Sequence, residues 1–257
     1  MGEASKRRVM VAGNWKLNKT IGEAQEFVRE LRRLVTQVRD CDIVIAPPYT
    51  ALYAVSQRLE DSNIELSAQE AFFESSGAFT GTVSAELLKD AGCSFCLVGH
   101  SERRQLFGET LESSNRRMKA VLEAGLRPIL CIGETLEERE AEKTVAVVSE
   151  QLDAAIDGVS LEDLERSVIA YEPVWAIGTG KVATPQQAQE VHAAIRERLR
   201  YRDAGLAEGM RLLYGGSVKP ANAEELLSQA DIDGVLVGGA SLDPQSFADI
   251  IKARQKG

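Results

Sequence analysis

Five side chains scattered along this chain could do chemistry, those of Asn14, Lys16, His100, Glu172 and Ser217, and the backbone at Gly238 could join them. Glu172 ends the apolar stretch "SVIAYE" and is followed at once by Pro173. A carboxylate there is either a solvated rim residue or, under an apolar loop, a partly desolvated general base. His100 is one of two histidines and closes "FCLVGH". Ser101-Glu102 after it could open a short helix, whose N-terminus disfavours imidazolium and favours a neutral, hydrogen-bond-donating ring. A capping or core histidine is the plainer alternative. His192, the other histidine, falls inside a helical pattern as a surface or packing residue. Asn14 and Lys16 flank Trp15, and strand alternation points both the same way. A lysine aimed into a cleft supplies the local positive charge that an anion needs in a chain of net charge −9; the alternative is an ordinary surface lysine. Gly215-Gly216-Ser217 and Gly238-Gly239 read as tight turns or as sites of close backbone approach to phosphate.

These residues can meet only if the elements gather them. Eight short, near-continuously apolar runs recur: "RVMVAGNW", "DIVIAPP", "IELSAQ", "FCLVGH", "RPILCIGE", "SVIAYEP", "RLLYGGS" and "DGVLVGG". That pattern suits parallel strands covered on both faces. Amphipathic segments lie between them, as in residues 21–38, with Phe27, Val28, Leu31, Leu34 and Val35 on one stripe. "TPQQAQEVHAAIRERLRY" opens with Thr184 as N-cap, Pro185 at the first helical position and Gln187 completing a capping box. Asn222 and Asp243 are the expected caps of two later helices. Eight β-then-α units over residues 1–257 predict one α/β domain, a single (β/α)8 barrel of eight parallel strands surrounded by helices; a doubly wound open sheet shares the local pattern. In a barrel all eight strand ends converge on one face, and phosphate often binds after the seventh and eighth strands.

The connection from Pro173 to Ala183 exceeds the usual βα loop of about 2–6 residues. Pro173 stiffens one end, and Gly178 and Gly180 loosen the other. Val174, Trp175 and Ile177 would be costly in water and useful against a closed site, so the segment Pro173-Val174-Trp175-Ala176-Ile177-Gly178-Thr179-Gly180-Lys181 reads as a lid. Two motif matches fail inside it. "GTGK" lacks the first glycine and the Ser or Thr of a P-loop, and "GTGKVA" is not followed directly by its helix, as a dinucleotide fingerprint should be.

Composition excludes other classes. The acidic net charge, with only short basic runs such as Lys6-Arg7-Arg8, argues against nucleic acid or an anionic membrane as partner. No apolar run approaches the ~20 residues of a membrane span. The N-terminus lacks the apolar core of about 7–15 residues of a signal peptide, and Ser5 misses the myristoylation register. A cytoplasmic protein is the expectation. Cys93 and Cys96 form C-x-x-C in a strand-like stretch, where odd spacing should send them to opposite faces, as core cysteines rather than a redox pair. Neither a second C-x-x-C nor H-x-x-x-H suggests zinc, and no cofactor is called for.

Taken in order and spacing, "AGNWKLN", "SAQEAFFESSGAFTG", "VGHSERR", "CIGETLEERE", "AYEPVWAIGTGK", "YGGSVKPANA" and "DGVLVGGASL" resemble the triosephosphate isomerase family over essentially the whole chain. The resemblance implies a cofactor-free interconversion of dihydroxyacetone phosphate and D-glyceraldehyde 3-phosphate in a TIM barrel. By it, Glu172 would shuttle the proton, His100 would be the neutral electrophile, and Asn14 and Lys16 would stabilise developing negative charge. Gly178, Ser217, Gly238 and Gly239 would grip phosphate together with Lys16, and Ser101, Glu102 and Cys131 would back these groups. It further implies a homodimer in which the loop from Gln69 to Thr82, with Phe72, Phe73 and Phe79, reaches the neighbour's site near Thr80. Thr82 departs from the glutamate of many relatives, which puts an inter-subunit ion pair with Arg103 in question. Glu142 departs from a common glycine. The competing readings are a sugar-phosphate epimerase, which needs metal-binding histidines, a Schiff-base aldolase, for which Lys16 is the one candidate, and a non-catalytic barrel, which should have lost Glu172, His100 or Lys16.

Overall fold

Strands that are apolar on both faces must be covered on both, and closure into a barrel does this without leaving an edge. The computed structural model describes residues 7–177 and 183–253. The chain runs β1 (Val9–Asn14), α1 (Ile21–Val35), β2 (Cys41–Ala46), α2 (Leu52–Leu59), β3 (Ile64–Ala68), α3 (Ala85–Asp90) and β4 (Phe95–Val98). It continues with α4 (Ser101–Leu106), α5 (Leu111–Glu123), β5 (Arg127–Ile132), α6 (Leu136–Glu140), α7 (Thr144–Ile156), α8 (Leu161–Glu165) and β6 (Val168–Tyr171). The last part is α9 (Pro185–Arg202), α10 (Ala204–Gly209), β7 (Arg211–Tyr214), α11 (Pro220–Leu227), β8 (Gly234–Val237) and α12 (Pro244–Ile251).

The strands pair in sequence order, all parallel, and β8 returns to β1 with Met10 opposite Gly234 and Gly13 opposite Val237. This closure rules out the open doubly wound sheet. Gly234 permits it, because a Cβ there would lie 2.0 Å from the Met10 carbonyl oxygen. Two apolar layers result. Met10, Val44, Phe95, Leu97, Ile129 and Leu213 are among those filling the barrel, while a larger shell joins the outward strand faces to the helices.

Helix starts follow the cap chemistry. Thr184 accepts from the Gln187 amide at 3.1 Å while Gln187 accepts from the Thr184 amide at 3.0 Å, with Pro185 leading α9. Asp243 caps α12 as expected. Asn222 does not cap α11: Pro220 takes the first helical position, so Lys219 is the cap residue and Asn222 Oδ1 reaches back to its amide at 2.8 Å. The cysteines are all buried and free. Cys93 and Cys96 share the outer shell, contrary to the alternation argument, because Cys93 sits in the turn before β4, where alternation does not apply. His192 is a packing residue, fully buried, its ring edge-on to Tyr171.

Glu142, the residue that departs from glycine, has φ of 58°. It closes α6, its amide bonding Arg139 O at 3.0 Å and that of Lys143 bonding Glu138 O at 2.9 Å, the paired bonds of a left-handed helix terminus. An L-residue pays about 1–2 kcal/mol for that conformation. Glu142→Gly should therefore raise stability by about 1 kcal/mol once the extra unfolded-state entropy of glycine is subtracted; denaturant melts check it, and no gain refutes it.

Candidate active site

The convergence expected of a barrel mouth occurs. One cavity of about 630 Å³ is lined by Asn14, Lys16, His100, Glu172, Ser217, Gly238 and Gly239, drawn from the ends of β1, β4, β6, β7 and β8.

At the end of β1, Lys16 adopts a left-handed φ of 52°. Its amide donates to Asn14 Oδ1 at 3.0 Å, and Gln69 Nε2 holds both Lys16 O and Ala46 O at 2.9 Å. Gln69 thus buttresses the turn that aims Lys16. The ammonium meets Glu102 Oε1 at 2.5 Å.

His100 is the N-cap of α4, so the capping and functional readings both apply. The Glu102 amide donates to Nδ1 at 3.2 Å, which leaves that nitrogen as acceptor and puts the proton on Nε2. Nε2 then donates to Glu172 Oε1 at 3.0 Å. The tautomer is neutral, and the ring's donor faces the cavity side.

Glu172 is buried, with Oε2 accepting from the Ser101 amide at 3.0 Å. Burial pushes its pKa up, but His100, then Arg104 and the Ser101 amide, oppose this, and the carboxyl lies below the ordinary glutamate range. Both oxygens accept hydrogen bonds, from His100 Nε2 and the Ser101 amide, and these favour the charged form. The Cys131 thiol lies inside the barrel, its pKa pushed well up by burial and then by the Glu172 charge, so it packs rather than reacts.

Glycines shape the cavity in two ways. A Cβ at Gly215 would approach Glu172 Cγ to 2.9 Å, and one at Gly216 would strike Tyr214 Oη at 2.2 Å, so these two make room for protein. At Gly239 a Cβ would meet nothing within 4 Å, and at Gly238 only Lys16 Cε at 3.6 Å. That pair faces open cavity. Beyond β8 the chain forms a short 3-10 turn, Gly239–Leu242, in place of an α-helix start.

The first half of the expected lid is described. Pro173 is buried, Val174–Ala176 form a 3-10 turn, and Ile177 lines the cavity. Gly178, Thr179, Gly180 and Lys181 lie outside the described residues. Trp175 Nε1 donates to Glu134 Oε1 at 2.9 Å, and Tyr171 Oη donates to the same oxygen at 3.0 Å. Glu134, fully buried, is a functional candidate that residue types alone did not single out. Its only signal was its place in "CIGETLEERE" at the end of the fifth strand. Arg104 and Gln151 escaped notice for the same reason: both bind backbone at the ends of β4 and β5.

The Gln69–Thr82 loop packs its rings together, Phe72 on Phe73 at 4.2 Å and Phe72 on Phe79 at 4.8 Å, leaving Thr80 exposed. Thr82 Oγ1 donates to Phe79 O at 2.8 Å within that loop. Arg103 pairs with Glu109 of its own chain and lies 4.9 Å over the Phe107 ring. Both members of the questioned inter-subunit pair therefore have partners in their own chain. Among the described residues, no three His, Cys, Asp or Glu side chains cluster as metal ligands, and no helix is long and apolar enough to cross a membrane.

A family profile described as triosephosphate isomerase matches residues 9–254. The chain is 55% identical over 246 residues to a triosephosphate isomerase of Geobacter metallireducens, covering 95% of this chain and 98% of that one. It is 54% identical over 249 residues to that of Pelobacter propionicus, covering 96% and 99%, and 50% identical over 246 residues to that of Endomicrobium trichonymphae, covering 96% and 98%. With a closed eight-stranded barrel, the expected side chains around one cavity and likeness running nearly end to end, the chain belongs to the triosephosphate isomerase family.

Proposed function

We propose that this protein interconverts dihydroxyacetone phosphate and D-glyceraldehyde 3-phosphate through an enediolate, in glycolysis and gluconeogenesis. The observation that carries the reading is the chain of contacts Lys16–Glu102–His100–Glu172, in which Lys16, His100 and Glu172 line one cavity. Glu172 is the base that takes the proton from one carbon and returns it to the other. The hydrogen bond that His100 Nε2–H now gives Glu172 switches to the substrate oxygen that gains charge, which frees one carboxylate oxygen for the carbon acid. Lys16 and Asn14 stabilise the same charge, and fixed donors in a dry site need no reorganisation as it forms. Ser217, Gly238, Gly239 and Gly178 hold the phosphate, the open space at Gly238 and Gly239 leaving room for close approach.

A coupled assay with both triose phosphates, with and without chelator, tests this. Turnover indifferent to chelator is expected. No turnover by folded protein sinks the reading, and chelator-sensitive turnover would favour a metal-dependent epimerase.

The segment from Pro173 to Lys181 acts as lid in this reading. The enediolate can eliminate phosphate to give methylglyoxal, and excluding water and loose geometries suppresses that. Shortening residues 174–179 should raise methylglyoxal relative to isomerisation; an unchanged product ratio refutes a protective lid.

The protein acts as a cytoplasmic homodimer on the same reading. A second cavity of about 290 Å³ shares Asn14, Lys16, His100 and Glu102 with the site and is rimmed by Leu17, 97% exposed, and Phe107, 66% exposed. Such apolar surface beside a catalytic cluster suits the aromatic loop of a second copy. Light scattering that gives one chain per particle would reject it.

A further inference from the structure

The proposed reaction leaves Arg104 and Gln151, at the barrel mouth, without a role. We propose that Arg104 and Gln151 are positioning residues for the isomerisation: together they clamp the Gly133 peptide on which the Glu172 backbone is seated, with the Arg104 cation held beside the base. The inference rests on the isomerase reading above.

The clamp has three sides. Gln151, on α7, accepts from Gly133 N through Oε1 at 2.7 Å and donates to Gly133 O through Nε2 at 3.1 Å. Arg104, on α4, donates from Nη2 to the same Gly133 oxygen at 3.1 Å. From Nη1 it reaches Cys131 O at 3.0 Å and also Gly99 O. The third side is Glu172 itself, because a Cβ on residue 133 would lie 1.8 Å from the Glu172 carbonyl oxygen. The neighbours of Gly133 complete the seat. Ile132 O accepts from Glu172 N at 2.7 Å, and Glu134 O accepts from Val174 N at 3.1 Å. The base and the first lid residues therefore hang from three consecutive residues whose middle peptide is fixed from outside the barrel. Gly99, bound by the same guanidinium, immediately precedes His100. One side chain thus sets base and electrophile relative to each other. The planar fork of guanidinium donors meets three carbonyls at once in a fixed geometry.

Charge adds a second function. The groups facing Glu172 are His100 from the end of β4, the Ser101 amide and Arg104 from α4, and the Cys131 thiol from β5, with Lys16 lining the same cavity. Lys16 pairs with Glu102. After His100, Arg104 is the group whose attraction opposes the burial of the carboxylate, and its bonds to the Gly99, Cys131 and Gly133 carbonyls fix the guanidinium at the strand ends that seat Glu172.

The test compares wild type with Arg104→Gln, Arg104→Lys and Gln151→Leu. It reads kcat, KM and the midpoint of Glu172 ionisation, followed by infrared difference titration against Glu172→Gln. Arg104→Gln should lower kcat about tenfold or more with KM within about threefold, since small misplacements of reacting groups are costly. Its midpoint should rise by about half a pH unit or more as the cation is lost. Arg104→Lys should keep the midpoint and lose kcat severalfold, and Gln151→Leu should lower kcat with the midpoint unmoved. Wild-type kcat in Arg104→Gln or Gln151→Leu overturns the clamp, and an unmoved midpoint in Arg104→Gln overturns the charge role. If Arg104→Gln does not fold, Arg104→Lys and Gln151→Leu decide: lowered kcat at unchanged KM supports the clamp, and wild-type kcat in both rejects it. Absence of turnover in the wild type would instead sink the isomerase reading, while the infrared midpoint still reports on Arg104.

Discussion

Glu172→Gln should lower kcat by about 10²–10⁴, the usual worth of a positioned general base, with a much smaller change in KM. The substitution keeps the side-chain shape in a site with no slack, where even a Cβ on Gly215 would come to 2.9 Å from Cγ. Its amide oxygen can still accept from Ser101 N, but its NH2 then faces the His100 Nε2 proton, two donors in contact. Binding of the phosphate end should persist, because the cavity wall at Gly238 and Gly239 is untouched. The pH dependence carries a sign that can be checked. The folded carboxyl lies below the ordinary glutamate range of about 4.3, so the base form persists from neutral pH down past that value. Any loss of kcat/KM between pH 7 and 5 should therefore follow the second ionisation of the substrate phosphate near ~6, not Glu172. Near-normal kcat in a folded variant would remove Glu172 from the mechanism.

The barrel was legible because its signal is repetitive and local. Eight apolar runs separated by capped helical stretches leave few topologies, and the Thr184-Pro185-Gln187 start appears as read. The principal side chains were legible too, for a topological reason: the fold delivers every strand end to one face, so Asn14, Lys16, His100 and Glu172 meet despite their separation in sequence. Where expectation failed, geometry outside the strand was at work. Cys93 lies one turn before β4, so strand alternation did not govern it. Pro220 displaced the α11 start from Asn222 to Lys219.

Arg104, Gln151 and Glu134 were not legible as functional groups. Arg104 and Gln151 bind backbone atoms of strand ends, and Glu134 takes its bonds from the rings of Tyr171 and Trp175. A backbone carbonyl has no residue type, so no motif advertises the side chain that holds it. Only the register of β4, β5 and β6 makes these contacts readable.

Lys16→Met should cost about 10²–10³ in kcat/KM, the scale of removing one preorganised donor from a developing oxyanion. Methionine retains the length of the stem and the apolar packing. The objection to any such result is that Lys16 also pairs with Glu102 at 2.5 Å, so the loss could come from a freed carboxylate beside His100. The geometry separates the two. Side-chain exposures of 28% and 40% mark a partly solvated pair, whose breakage costs about 1 kcal/mol or less in stability. The double variant Lys16→Met with Glu102→Gln removes the freed charge. If Lys16 serves the substrate, the double variant regains stability but stays as slow as the single one. If pairing is its whole role, kcat/KM recovers toward the value for Glu102→Gln alone, and the cycle shows a coupling as large as the loss itself. The left-handed backbone at Lys16, held by Asn14 Oδ1 and Gln69, argues for the first outcome. A surface ion pair needs no strained turn, whereas a cation that must stand at one point in a cavity does.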